Sequence, residues 1–75
     1  MNIENLVTMA NQIGMFYETM PDRTKALTDI AEHLKKYWDP RMRRELLAYI
    51  EEPGQHALQL IPVVSESLRV HRAML

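Results

Sequence analysis

The chain has no cysteine among its 75 residues, which excludes disulfide staples, thiolate zinc sites and iron–sulfur ligation together. Glycine is nearly as scarce. Gly14 and Gly54 are the only two and stand 40 positions apart, so neither a phosphate-cradling loop nor a dinucleotide fingerprint, both built on clustered glycines, can form. No apolar run approaches the ~18 residues of a membrane span. The N-terminus also lacks the basic segment followed by an apolar run that marks an export signal. A cytoplasmic protein without a membrane partner is expected.

Side chains that could carry chemistry are as thin. The three histidines, His33, His56 and His71, are separated by 23 and 15 positions, so no two sit one helical turn apart as on a zinc-binding helix. The expected places are the surface near Asp29 for His33, a loop for His56 and the inner face of the last helix for His71. Ser65 and Ser67 have no glycine-flanked elbow around them and read as helix residues. Glu51 and Glu52 fall at a helix end with nothing to enclose them. The expected catalytic, cofactor-binding and metal-ligating residues are therefore none.

What the chain does have is apolar periodicity. Hydrophobic residues make up 47% and charged residues 25%, a composition that folds. Ile3, Leu6, Val7, Ala10, Ile13 and Tyr17 recur at helical steps, and Met9, Phe16 and Met20 widen that stripe to about half the circumference, more than one neighbouring helix usually covers. Met15 projects onto the opposite, polar side. Pro21 and Asp22 break this helix and cap the next, whose inner face is Ala26, Leu27, Ile30, Ala31, Leu34, Tyr37 and Trp38, with Glu32 and Lys36 spaced as an ion pair outside. Asp39-Pro40 opens a third helix carrying Met42, Leu46, Leu47, Tyr49 and Ile50, which Pro53-Gly54 ends. After a connection around Gln55 to Ile61, Pro62 opens a fourth with Val63, Val64, Leu68, Val70 and Met74 inward. The fold expected is all-α, a single domain of three main helices (about 3–20, 23–38 and 40–51) plus a C-terminal fourth (62–74). Gly14 is expected where two helices pack closely.

Charge is unevenly placed. Residues 23–44 carry seven bases against three acids, although the net charge of the whole chain is -1. Trp38, Asp39, Pro40, Arg41, Met42, Arg43 and Arg44 put three arginines at the start of a helix, where the macrodipole disfavours cations by about 0.3–1 kcal/mol each. Arg43 projects between Leu47 and Ile50, inside the apolar face, where its charge must reach water or an anion. Local rules broken without internal gain mark a surface shaped for another molecule, and tryptophan and arginine are common interface anchors. The competing interpretation buries Trp38 in the core and leaves the arginines solvated.

The same residues carry a resemblance. Leu6, Val7, Met9, Ala10, Asn11, Gln12, Ile13 and Gly14, then Ile30, Ala31, His33, Leu34, Lys35, Lys36, Tyr37, Trp38, Asp39, Pro40, Arg41, Met42 and Arg43, resemble the small delta subunit of cytoplasmic, NAD-dependent, molybdenum-containing formate dehydrogenases. Leu60, Pro62, Val63, Val64, Glu66 and Leu68 echo it more weakly, and Tyr17 and Tyr37 stand where phenylalanine is expected. The resemblance implies a non-catalytic accessory subunit that binds the large molybdenum-binding subunit and supports assembly, cofactor insertion or stability. It implies no cofactor in this chain, with the molybdenum cofactor, iron–sulfur clusters and flavin held by partner subunits. Carried onto this chain, the contact involves Trp38, Arg41 and Arg43, with Arg44 in the same corner and Asn11 and Gln12 as polar candidates on the first helix. Two alternatives stay open. Helices two and three could form a helix-turn-helix-like nucleic-acid-binding unit, against which the slightly acidic whole chain weighs. The broad stripe of helix one could also bury against its own copy in a homodimer of the isolated chain.

Overall fold

The computed structural model describes residues 2–52 and 59–75. Pro53-Gly54 as a helix end and the loop position of His56 lie outside the described residues. Among those described there are four α-helices and no strand: α1 (Ile3–Tyr17), α2 (Arg23–Tyr37), α3 (Pro40–Glu51) and α4 (Pro62–Val70), followed by a single 3-10 turn, Arg72–Met74. The fold is a small all-α bundle.

The first three helices begin where side chains satisfy their free amides. Asn2 Oδ1 accepts from the Glu4 amide at 2.7 Å, Asp22 Oδ1 from Lys25 at 3.1 Å and Asp39 Oδ1 from Met42 at 2.9 Å. Proline occupies the first turn of α3 and of α4, where its missing N–H costs nothing. Two boundaries fall short of expectation, each just ahead of a proline junction. Met20 precedes Pro21, and α1 ends at Tyr17 rather than at residue 20. Trp38 is extended (φ -91°, ψ 139°) rather than helical, feeding the Asp39-Pro40 junction. The fourth helix stops at Val70 instead of running to residue 74, and Val70 is exposed rather than inward-facing.

One apolar cluster holds the helices together: Leu6, Val7 and Ala10 from α1, Leu27, Ile30 and Leu34 from α2, Trp38 from the junction, Leu46 from α3, and Val63, Val64 and Leu68 from α4. α4 packs most extensively on α2, where Ser67, fully buried, donates to the Leu27 carbonyl at 2.6 Å and so satisfies a polar group inside the core. α1 meets α4 at Gly14. A Cβ there would overlap Val64 Cγ2 and come within 2.9 Å of Ile61 Cδ1, so only glycine permits this approach.

Half-exposed ion pairs finish the surface. Arg23 Nε meets Glu66 Oε1 at 2.7 Å between α2 and α4, and Arg72 Nη1 meets Glu51 Oε2 at 2.5 Å, tying the C-terminal turn to α3. Each contributes at most about 1 kcal/mol at such exposure. The expected Glu32–Lys36 pair does not form; Lys36 Nζ instead lies 5.4 Å from the centroid of the Tyr37 ring.

Candidate docking surface

α1 carries two apolar faces. Leu6, Val7, Ala10 and Gly14 turn into the bundle. Met9, Gln12, Ile13, Phe16 and Tyr17, at the spacing i, i+3, i+4, i+7, i+8, share a second face that none of the described helices covers fully, although Met9, Ile13 and Tyr17 also pack against the core. Opposite them stand His33 and Tyr37 from α2, Trp38 from the junction and Met42 from the first turn of α3. Between these walls runs an open groove of about 590 Å³. Along α1 it extends from Met9 to Phe16, about two helical turns or ~10 Å.

Its walls are aromatic and flexible. Phe16 is 76% exposed and Tyr37 65% exposed, although both are large apolar side chains. Phe16 sets its edge against Tyr17, with ring centroids 5.0 Å apart and planes at 88°, and His33 packs on Tyr37 at 4.8 Å. Tyr37, expected on the inner face of α2, thus lies outside. Met9 and Met42 supply unbranched side chains that adapt to what they touch.

The residues singled out in the sequence divide between inside and outside. Trp38 is 5% exposed, so the indole is mainly core and its remaining edge lines the groove. Gln12 is exposed on the groove wall. Arg41 and Arg44 are exposed on α3, and their side chains have no ion-pair or hydrogen-bond partner among the described residues. Arg43 is turned inward. Only 8% exposed, it donates from Nη1 to the Lys35 carbonyl at 2.7 Å. That oxygen belongs to the last turn of α2, where carbonyls lack helical partners and the macrodipole favours a cation. Its buried Nε finds no partner among the described residues. Asn11 is also turned to internal use, donating from Nδ2 to the Gln59 carbonyl at 3.0 Å while its Oδ1 accepts from the Ile61 amide at 2.9 Å. Both ends of its amide pin the segment that enters α4.

Sequence reading missed the contributions of Phe16, Tyr37, His33, Met9 and Met42 to one groove. A signal was present in the width of the α1 stripe, but the facing wall comes from a different helix and a junction. His71 caps α4, with Nε2 3.4 Å from Thr28 Oγ1. Among the described residues, no three histidine, aspartate or glutamate side chains converge as they would around a metal ion. None of the described helices is long and apolar enough to cross a membrane.

Fold and groove together define a small helical bundle that leaves one apolar face uncovered. The family model of the NADH-dependent formate dehydrogenase delta subunit, FdsD, matches residues 5–68, and the chain belongs to this family. The matched span takes in the whole groove and most of α4. Comparison with curated proteins and with solved structures gave no match. A delta subunit is one chain of a multi-subunit enzyme, so the chain takes its place in a complex with others.

Proposed function

We propose that the chain is a non-catalytic accessory subunit of a cytoplasmic NAD-dependent formate dehydrogenase, that it binds the large molybdenum-containing subunit, and that this contact supports assembly, cofactor insertion or stability. The molybdenum cofactor, iron–sulfur clusters and flavin then reside in the other chains, in keeping with a sequence that has no cysteine to ligate a cluster. The observation that carries the proposal is the uncovered groove. A monomeric protein gains nothing by holding Phe16 and Tyr37 in water, and exposed apolar patches rimmed by polar groups are typical of surfaces that meet another protein. The docking set is the groove walls with Gln12, the groove edge of Trp38, Arg41 and Arg44. Arg43 and Asn11 support that surface from behind rather than touching the partner.

The test is recovery of the large subunit on the tagged, co-expressed chain. Phe16→Asp introduces a charge that the interface would have to desolvate, and should lower recovery by about tenfold or more while the melting curve of the chain is unchanged. Full recovery with a normally folded Phe16→Asp variant removes the groove from the contact.

A further inference from the structure

The groove is flanked on its α2–α3 side by positive charge that the fold leaves unmatched. Of the seven bases in residues 23–44, three are engaged: Arg23 with Glu66, Lys25 with Asp29 at 3.4 Å, and Arg43 with the Lys35 carbonyl. Lys35, Lys36, Arg41 and Arg44 are exposed and have no carboxylate partner among the described residues. Against these four cations α2, α3 and their junction set three acids outside ion pairs, Glu32, Asp39 and Glu45, and Asp39 is occupied as the cap that accepts the Met42 amide. Two of the cations stand next to groove residues. Lys36 holds its ammonium 5.4 Å from the ring of groove-lining Tyr37, and Arg41 immediately precedes groove-lining Met42.

The trough itself suits a helix. It is open along its length, and few polar groups converge in it: the Gln12 amide, the His33 imidazole and the tyrosine hydroxyls. A small ligand is usually enclosed and oriented by several converging polar groups, which this surface does not provide. Two turns of apolar wall, edged by methionine and aromatic side chains, match a helix that presents anchors at i, i+3 or i+4, and i+7.

We infer that the groove receives an amphipathic helix of the large subunit, whose apolar side fills the trough and whose acidic flank lies along Lys36 and Arg41. This rests on the docking proposed above and adds to it the chemistry of the segment that docks. Unmatched cations at the rim of an apolar site steer an acidic partner toward it and reject a basic one. They also make the association sensitive to salt, because exposed charges are screened within ~8 Å at physiological ionic strength.

The experiment measures affinity of the full-length chain for the purified large subunit at low and at high salt, for wild type, the double variant Lys36→Glu/Arg41→Glu, and Phe16→Asp, with circular dichroism and the emission of the only tryptophan, Trp38, as checks on folding. The double variant should bind about tenfold or more weakly at low salt and approach wild type at high salt, while Phe16→Asp should be weak at both. Wild-type affinity that responds neither to charge reversal nor to salt, but is lost in Phe16→Asp, overturns the acidic flank and leaves groove docking standing. Tighter binding by the charge-reversed chain shows that the docking segment is basic, and also overturns it. No binding by wild type defeats the docking proposal and this inference together. A homodimer of the isolated chain that Phe16→Asp dissolves assigns the groove to a second copy, and overturns the inference as well.

Discussion

Arg43 sits among Leu46, Leu47 and Ile50 because a backbone carbonyl, and not an external anion, receives its charge. The Lys35 oxygen lies in the last turn of α2, and a guanidinium there both fills an open acceptor and meets the negative end of the helix. Arg43→Ala should therefore act on stability: urea unfolding is expected to show a loss of about 1–3 kcal/mol, from a vacated buried site and a carbonyl left without its donor. Arg44→Ala, on the exposed side of the same helix, should leave the unfolding curve in place. Equal curves for the two variants would contradict this placement. Gly14→Ala is the second sensitive substitution, because Val64 and Ile61 occupy the space a methyl group needs. A loss of about 1–3 kcal/mol is expected from overpacking, larger than the gain in helix propensity that alanine normally brings. How far the sequence revealed these roles differs by residue. Gly14 is legible, since a glycine inside a periodic helix usually marks close approach. Arg43 is half legible: projection puts it on the inner face, but its partner is a backbone atom on another helix. Trp38 suits an interface as well as a core, and only packing decides between them.

At the level of elements, starts are written more clearly than ends. Asn2, Asp22 and Asp39-Pro40 are cap residues followed by apolar periodicity, and each opens a helix where the pattern places it. Asp39→Ala should lower stability by about 0.5–2 kcal/mol in thermal or urea unfolding, since it removes the acceptor for the Met42 amide at the junction that positions Trp38. An unchanged midpoint would mean that Pro40 alone fixes the corner. The end of α4 carries no proline or glycine, so local pattern extends it through Met74. Instead the chain leaves the helix at His71, which lies against Thr28, and the 3-10 turn that follows is tied to α3 through Arg72 and Glu51. Such contacts join residues far apart in sequence, so no local rule anticipates them. α1 is the element on which the proposed docking turns. Its wide stripe resolves into one face for the core and one for the groove; the periodicity carries the width, but not the second wall.

For the molecule as a whole, a chain this small buries only about 60–65% of its unfolded surface, and this bundle directs what it buries to one cluster. Stability and the proposed docking separate at Phe16 and Tyr37, which lie outside the core cluster, whereas Met9, Ile13, Tyr17 and Met42 line the groove and also pack against that cluster. Trp38 belongs to both, core by burial and groove by its exposed edge. Family membership covers both, since residues 5–68 include every groove position. Hydroxyl-radical footprinting of the chain, alone and within the assembled enzyme, tests most directly whether the groove is the face that the complex covers. Phe16, Tyr37 and Met9 should become protected on assembly, whereas Met15, exposed on the other side of α1, should stay reactive. Protection of Met15 with Phe16 and Tyr37 left as reactive as in the free chain would contradict it.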